Sequence, residues 1–476
     1  MPSYKLIYFP ITALAEPIRF LFNYAGIKFE DERLDRKDWP KLKQTMPFGQ
    51  VPVLEVDGKK INQSVAICRY LAKQCDLAGK NDWESLEIDA AVDNIHDLRA
   101  SIAAYYYESN EQAKKEKLKI AKEMVSYYLE RLDAQVKKND GYFVGGSLSW
   151  ADFTFVSMLD YLDWMMKENI IEKYENLKQL KKKVEEIPAI KSWIEKRPKS
   201  IFLVLKILLY VIVTWLLWLL GCYIIVHVAI MQAKVTQYGV SLQQNIQSFS
   251  VRKQLHIDCQ RLDFYHKSYY TNCKNMPTYK LTYFNVTGLG EPIRYLLSQC
   301  GIKFEDVRLT FEDWPKYKSN MPMGQVPVLE IDGKPYHQSK AISRFLAKKS
   351  NLYGSDEFEA MEIDAAVDSI DDLRQALSTY YWEQDTALKA KLKETAFQKL
   401  PFYLDKFEAQ VKKNGGYFVG GKLSWADLLW TAYTDYLNFI VNDLNKDHPE
   451  LKKLVEKVRA LPNIKAYIEK RPKTQL

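Results

Sequence analysis

Apolar and polar residues follow two different periods along the first 200 residues. The segment YKLIYF (4–9) is rich in β-branched and aromatic residues and predicts a strand, and KFEDERL (28–34) alternates like a second strand. Between them, Glu16 and Pro17 are typical of the first turn of a helix, and Gly26 is a suitable end for it. A strand, a helix and a strand of these lengths form a right-handed parallel unit.

The next elements predict a small α/β domain. VPVLEVDGKKINQS (51–64) predicts a hairpin that turns at Asp57 and Gly58. The helix VAICRYLAKQ follows, and Ser64 is expected to cap it. The order β-α-β-α-β-β-α is that of a thioredoxin-like domain, which we assign to residues 1–80.

After residue 80 the apolar pattern is helical. SWAD (149–152) predicts a capping box between Ser149 and Asp152, with Trp150 directed into the core. An all-helical domain is therefore expected over 81–200. Its first helix carries an apolar stripe made of Ile88, Ala91, Val92, Ile95, Leu98 and Ile102.

The chain then repeats itself. YKLIYFPITALAEPIRFLF (4–22) returns as YKLTYFNVTGLGEPIRYLL (279–297), and GYFVGGSLSWADF (141–153) returns as GYFVGGKLSWADL (416–428), both at an offset of 275 residues. The second copy therefore has a thioredoxin-like domain at 276–355 and a helical domain at 356–476. Residues 201–275 form a connector.

Charge and cysteine content exclude several classes of protein. The net charge is +8, but seven basic and two acidic residues lie within 200–275, so five of the eight charges belong to the connector. The repeated parts are nearly neutral, which argues against a nucleic-acid partner. The six cysteines fit no zinc site or disulfide framework, and this favours a reducing, cytosolic setting for at least the first copy.

Several motifs occur in a characteristic order: Tyr8, QVPVLE (50–55), QS (63–64), RYLA (69–72) and SWAD. This combination resembles the cytosolic glutathione transferases, most closely the sigma class and its nematode members, over all of the chain except about 200–275. The resemblance implies transfer of the glutathione thiolate to small hydrophobic electrophiles, with two sites per chain. It implies glutathione as co-substrate, no other cofactor, a dimer between chains or between the two copies, and a cytoplasmic location.

The resemblance assigns the catalytic role to Tyr8 and Tyr283. A free thiol has a pKa of about 8.5 and forms little thiolate at neutral pH. A tyrosine hydroxyl that donates to the sulfur stabilises the thiolate selectively and lowers that pKa.

The same resemblance implies how glutathione is held. The backbone at Val51 would pair with the cysteinyl unit, Gln63 and Ser64 would bind the γ-glutamyl end, Trp39 and Lys43 the glycyl end, and Asp97 the glutathione of the neighbouring subunit. Arg69 would line the dimer interface. The full predicted binding set is Trp39, Lys43, Gln50, Val51, Gln63, Ser64 and Asp97 in copy one, and Trp314, Lys318, Gln325, Val326, Gln338, Ser339 and Asp372 in copy two.

The sequence departs from the family pattern in the loop after the tyrosine. An arginine is expected near the thiolate there, but the loops read PITALAE and NVTGLGE. Thr12 or Leu14 in copy one, and Thr287 or Leu289 in copy two, stand where the arginine is expected, so the thiolate is expected to be less stabilised and turnover to be slow. Residues 105–107 and 380–382 are expected to form an aromatic wall for the electrophile, with one of each three packed inside.

The resemblance also raises a metal site, because the vertebrate sigma-class prostaglandin D synthase binds a divalent metal through aspartates. Asp368, Asp371 and Asp372 could offer such a group, but His96 interrupts it in copy one. We therefore predict no metal.

Two alternative functions remain open. A glutathione-dependent isomerase or peroxidase of the prostaglandin D synthase type would use the same thiolate. The other alternative is a non-catalytic glutathione-binding or crystallin-like structural protein. A scaffold would not need the tyrosine, the Gln-Ser pair or Asp97, which both copies retain, whereas the missing loop arginine favours it.

The connector contains ILLYVIVTWLLWLLGCYIIV (207–226), an uncharged apolar run as long as a bilayer's hydrocarbon core is thick. It predicts an apolar helical connector with a candidate transmembrane helix at 203–230, and hence a single-pass membrane protein. That topology would place the copies on opposite sides of the membrane. Our hypothesis is instead that 201–275 arises from two adjacent genes read as one.

Overall fold

The computed structural model describes residues 2–198 and 277–474. We call 2–198 module one and 277–474 module two. The predicted connector and its transmembrane segment at 203–230 lie outside the described residues. Among the described residues no helix is both long enough and apolar enough to cross a membrane.

Each module begins with a four-stranded sheet. In module one the strands are β1 (Tyr4–Tyr8), β2 (Glu30–Arg33), β3 (Val53–Val56) and β4 (Lys59–Asn62), in the order β2-β1-β3-β4. β1 runs parallel to β2 and antiparallel to β3, which pairs antiparallel with β4. Module two repeats this sheet with β5 (Tyr279–Phe284), β6 (Glu305–Leu309), β7 (Val328–Ile331) and β8 (Lys334–His337). The predicted thioredoxin-like topology is confirmed.

The helices of module one are α1 (Glu16–Tyr24), α2 (Trp39–Leu42), α3 (Ser64–Lys73), α4 (Asp82–Tyr106), α5 (Glu111–Lys138), α6 (Trp150–Met166), α7 (Glu175–Glu185) and α8 (Pro188–Lys196). In module two they are α9 (Glu291–Gln299), α10 (Trp314–Lys318), α11 (Ser339–Lys349), α12 (Glu357–Trp382), α13 (Thr386–Lys413), α14 (Trp425–Val441), α15 (Pro449–Arg459) and α16 (Pro462–Lys470). The second domain of each module is helical, as predicted.

Local predictions hold at most positions. The capping box forms at Ser149 and again at Ser424, and Trp150 is buried behind it. The hairpin turns at Asp57 and Gly58, both with positive φ. The expected cap at Ser64 is wrong: Ser64 is the first residue of α3 and makes no capping hydrogen bond, while Gln63 holds the cap position with φ 74°.

The two modules pack against each other within the chain, through a ring of buried charges. Arg69 on α3 donates to Asp89 on α4 (2.8 Å) and to Asp364 on α12 (2.9 Å). Arg344 on α11 donates to Asp364 (2.8 Å) and back to Asp89 (3.1 Å). Each of the four side chains is at most 5% exposed. Each arginine therefore bridges the two modules, as the resemblance implied for Arg69.

Apolar contacts extend the same interface. Phe48, which precedes the QVP segment of module one, packs against Tyr403 and Phe407 on α13 of module two, with ring centroids 5.4 and 5.3 Å apart. Trp83 packs on Phe345 at 4.6 Å. The hydrophobic core of module two continues into Leu86 and Ala90 of module one. The pair thus shares one continuous packed region.

Candidate functional site

One cleft of about 840 Å³ runs between the modules, and all fourteen predicted glutathione-binding residues line it. The sheet domains bring Trp39, Gln50 and Val51 to one side of it, and their counterparts Trp314, Gln325 and Val326 to the other. Both Val-Pro peptide bonds, 51–52 and 326–327, are cis. The cleft therefore gathers two equivalent half-sites.

Each half-site is completed by the opposite module. Gln63 Nε2 donates to Asp372 Oδ2 at 3.0 Å, and Gln338 Nε2 donates to Asp97 Oδ2 at 2.9 Å. The resemblance implies that Asp97 reaches the glutathione site of a neighbouring subunit. In this structure Asp97 of module one faces the half-site of module two, which belongs to the same chain. We call the half-site with Tyr8, Gln63 and Asp372 site one, and that with Tyr283, Gln338 and Asp97 site two.

Burial shifts the titration of these aspartates. Burial raises the pKa of Asp372 to about 6, although the hydrogen bond from Gln63 opposes the shift. Burial also raises the pKa of Asp97, against the hydrogen bonds from Gln338 and Tyr128. Each carboxylate is therefore poised to gain stability from a cationic group placed in the cleft.

The two tyrosines lie just behind the cleft. Tyr8 and Tyr283 are 6% and 7% exposed and do not line the cleft, but Leu14 and Leu289 do. The Leu289 backbone N–H donates to Tyr283 Oη at 3.1 Å, and the Leu14 N–H makes the matching bond to Tyr8. Because a hydroxyl that accepts one bond still has its proton to give, each phenol is left as a donor.

Burial keeps these phenols protonated. It raises the pKa of Tyr8 to about 12, and it also raises that of Tyr283. At neutral pH both side chains are therefore neutral O–H donors rather than phenolates.

Cations that the sequence reasoning missed lie near both tyrosines. Arg99 on α4 and Arg374 on α12 line the cleft, and their charges lower the pKa of Tyr8 and Tyr283 respectively, against the larger effect of burial. The loop after each tyrosine carries no arginine, as the sequence shows, but the helical domains bring Arg99 and Arg374 to the same cleft. The only signal for these cations in the sequence was that both copies have an arginine at the equivalent position, Arg99 and Arg374.

The two arginines differ in their partners. Arg374 forms an ion pair with Asp371 on the same helix, while the matching position in module one is His96. Arg99 makes no ion pair with any residue of the described ranges, and its buried Nε has no hydrogen-bond partner there. The guanidinium of site one is thus less neutralised than that of site two.

A second asymmetric cation lies at Lys340, where module one has Val65. Lys340 Nζ is 2.9 Å from Asp368 Oδ1 and 3.8 Å from Asp371 Oδ2. These carboxylates had been weighed as metal ligands. Among residues 2–198 and 277–474 no group of three or more histidine, cysteine, aspartate or glutamate side chains is arranged to hold a metal ion.

Two further tyrosines contact glutamines of the cleft from the opposite module. Gln50 Nε2 donates to Tyr403 Oη at 3.0 Å, and Gln325 Nε2 donates to Tyr128 Oη at 3.1 Å. Sequence reasoning missed Tyr128 and Tyr403, because their role depends on how the modules pack. They fix the glutamine of each QVP segment from across the interface.

Comparison with known proteins agrees with this arrangement. Residues 4–73 and 279–348 match the glutathione S-transferase N-terminal domain, and residues 96–197 and 371–471 match the glutathione S-transferase C-terminal domain. A glutathione S-transferase of Anopheles gambiae is 47% identical over 199 residues, which are 42% of this chain and 98% of the relative. The chain belongs to the glutathione S-transferase family.

Other family members match at similar levels. Glutathione S-transferase S1 of Drosophila melanogaster is 47% identical over 197 residues, 41% of this chain and 79% of its own. Hematopoietic prostaglandin D synthase of Gallus gallus is 43% identical over 205 residues, 42% of this chain and 99% of its own. The Anopheles and Gallus relatives align over nearly their whole length with about the length of one module, and the two domain models each match twice, so the chain carries two glutathione S-transferase units in tandem.

Proposed function

We propose that each site binds glutathione and transfers its thiolate to small hydrophobic electrophiles, with Tyr8 and Tyr283 as the groups that stabilise the sulfur. The observation that carries this proposal is a buried, protonated phenol next to the Val-Pro edge and the Gln-Ser helix start of each half-site. A neutral donor aimed at a thiolate stabilises the charged form selectively, so it lowers the thiol pKa.

The remaining residues of the cleft hold the tripeptide. The first turns of α3 and α11 present Ser64 and Ser339, together with unpaired backbone N–H groups, to the γ-glutamyl carboxylate. Asp372 and Asp97 receive its ammonium from across the interface. Lys43 and Lys318 face the glycyl carboxylate. Glutathione is the co-substrate, and no other cofactor is needed for this chemistry.

The pairing of the two modules bears on the transferase class, on the dimer partner and on the cellular compartment. Both modules carry the β1 tyrosine and the Gln-Ser pair of the sigma class, nematode type, and we place them there. The dimer of this family is then formed by the two modules of one chain. Since each site takes an aspartate from the opposite module, both modules belong in one compartment, the cytoplasm, where glutathione is abundant and reduced.

A glutathione-dependent isomerase is the second candidate, because relatives named hematopoietic prostaglandin D synthase match 42% of this chain over 99% of their own length. It would use the same thiolate, so it differs only in the electrophile accepted. A purely structural role is disfavoured, because a scaffold needs neither phenol.

The test uses the full chain and a model aryl halide. Tyr8→Phe and Tyr283→Phe should each silence one site, and the double variant should lose about a hundredfold in turnover while still binding glutathione. Glutathione affinity measured by calorimetry is the control for folding. A double variant that conjugates at the parent rate would refute the proposed role of both phenols.

A further inference from the structure

The mouths of the two sites differ at several positions of the repeat, and one of these exchanges puts an arginine in place of an aromatic ring: Arg36 in module one and Phe311 in module two. The Arg36 guanidinium lies 5.7 Å from the centroid of the Phe9 ring. Phe311 instead stacks on Phe284, the counterpart of Phe9, with centroids 4.7 Å apart and an interplanar angle of 24°. Phe9 and Phe284 both line the central cleft, so the exchanged side chain borders each site.

In module two, Phe311 completes a continuous aromatic run. Its ring is 6.0 Å from that of Trp382, at the end of α12, so it connects the sheet domain to the helical domain. Trp382 Nε1 donates to Tyr436 Oη at 3.0 Å. Tyr436 is close enough to Tyr283 for a charge on one ring to disfavour a charge on the other. The run therefore leads from the surface at Phe311 to Tyr436 on α14.

This run is unusually open to solvent. Phe311 is 56% exposed, Trp382 46% and Phe439 50%, and Tyr381 packs between the last two. Contiguous exposed aromatic rings are uncommon on a protein surface and mark places where an apolar partner binds. Because the run ends at site two, a small flat molecule that enters the site would cover it.

Module one presents a different surface at the same place. Arg36 is exposed and makes no ion pair with any residue described in either module. The wall behind it carries hydroxyl groups: Tyr107 Oη and Tyr161 Oη share a hydrogen bond of 2.7 Å. Tyr106 packs on Trp164 at 4.6 Å, and the charge of Arg36 acts on the Tyr106 ring. Both walls thus contain packed aromatic rings, but at the mouth of module one an exposed guanidinium takes the place of the ring that stacks on Phe284 in module two.

We infer that the two sites divide their electrophiles by charge: site one selects those that carry a carboxylate, through Arg36, and site two selects neutral planar aromatic ones, through the stack around Phe311. The inference rests on the proposed function of the two phenols. A guanidinium at the rim attracts a carboxylate as it approaches the sulfur. The stacked pair of Phe311 and Phe284, with the Trp382 ring tilted beside it, offers an apolar aromatic surface to a flat ring and no partner to a charge.

The reaction is the same at both sites. With an α,β-unsaturated ketone, the glutathione sulfur forms a bond to the β-carbon and the electron pair of the C=C bond moves to the α-carbon. A proton equal to the one lost from the thiol is taken up there, and no group leaves. Only the entry of the electrophile differs between the sites.

The experiment compares ethacrynic acid, an anionic α,β-unsaturated ketone, with its neutral methyl ester. The full chain with Tyr283→Phe reports on site one, and with Tyr8→Phe on site two. The acid-to-ester ratio of kcat/KM should be about twofold to fivefold higher at site one, the strength of one partly exposed ion pair. Added salt should reduce that difference.

Exchange of the single residue tests the cause. Arg36→Phe in the Tyr283→Phe chain should lower the ratio to that of site two, and Phe311→Arg in the Tyr8→Phe chain should raise it. Lys37→Ala is the matched control, because it removes an exposed charge from the neighbouring position of the same loop. That variant should leave the ratio unchanged.

The outcomes separate this inference from the proposed function. Equal ratios at the two sites, or ratios that Arg36→Phe and Phe311→Arg do not move, would overturn the division by charge. A loss of kcat/KM that is the same for acid and ester would overturn it too. If instead the Tyr8→Phe, Tyr283→Phe double variant kept full activity toward both compounds, the proposed function itself would fail.

Discussion

Module one and module two have the same fold and place the same residue types along the cleft, but they surround the sulfur with different charges. Arg99 of module one has no carboxylate partner among the described residues, whereas Arg374 of module two is paired with Asp371, which also lies 3.8 Å from Lys340. At the mouth, Arg36 stands opposite Phe311 in the repeat. The two copies thus share the residues proposed to hold glutathione and differ at those proposed to meet the electrophile.

The largest expected effect concerns the ring of buried charges to which both modules contribute. Arg69→Ala leaves Asp89 and Asp364 buried with one arginine between them, and Arg344→Ala does the same from the other side. Loss of one partner of a buried ion pair costs about 3–5 kcal/mol. Urea unfolding of each full-length variant should show a loss of this size.

Because the ring is nearly symmetric, the two variants should be destabilised to a similar degree. Lys37→Ala, far from the interface, is the matched control. A loss below about 1 kcal/mol, the size typical of exposed ion pairs, would show that the ring does not form between the modules.

The next effect tests the exchange of aspartates between modules. Asp372→Asn should weaken glutathione binding at site one, and Asp97→Asn at site two, because each removes the carboxylate that faces the opposite Gln. A hydrogen bond to a charged group is worth about 1.5–3 kcal/mol, so KM for glutathione should rise about tenfold or more while kcat changes little. KM is measured for site one in the Tyr283→Phe chain and for site two in the Tyr8→Phe chain, so that only one site is active in each.

These aspartates also predict a pH dependence. Since burial raises the pKa of Asp372 to about 6, the empty site loses this negative charge as the pH falls through that value. Glutathione, whose ammonium favours the charged form, should therefore bind site one less tightly below pH 6 than above it. Asp372→Asn should abolish the step, and a step that survives in Asp372→Asn would assign it to another group.

A smaller effect distinguishes the two tyrosine loops. A Cβ at Gly290 would lie 2.4 Å from Tyr283 Cδ1, while module one carries Ala15 at this place. Gly290→Ala must therefore move the Tyr283 ring, and site two should lose about tenfold in kcat, as expected when a catalytic group is misplaced by less than 1 Å. Ala15→Gly is the matched change and should alter site one by less than about twofold, since it removes only one methyl group.

The residues in and around the cleft show which features of the site can be predicted from the sequence. The tyrosines, the QVP segments and the Gln-Ser pairs were predictable, because each is a short local pattern whose geometry follows from one turn or one helix start. Tyr128, Tyr403, Arg99 and Arg374 were not, because their positions in the cleft depend on how long helices of two modules pack. Ser64 shows the limit at the local scale: the pattern indicated a cap, but Gln63 takes the cap position with positive φ.

The smallest expected effect addresses the charge next to the sulfur. Arg99→Leu should raise the thiolate pKa of glutathione bound at site one, because an unpaired cation near a thiolate favours the charged form. Arg374→Leu should change site two less, since Asp371 already neutralises Arg374. For a guanidinium in a cleft open to water we expect a shift of about half a pKa unit at site one.

The ultraviolet absorbance of the thiolate, followed as a function of pH, measures the pKa of bound glutathione. The Tyr283→Phe chain gives the value for site one, and the Tyr8→Phe chain the value for site two. His96→Asp is the sharper control, because it gives Arg99 the same partner that Arg374 has at position 371. If pairing with that carboxylate is what separates the sites, His96→Asp should move the thiolate pKa of site one toward that of site two without removing the arginine. An unchanged pKa in both Arg99→Leu and His96→Asp would leave the tyrosine hydroxyl as the group that stabilises the sulfur in both modules.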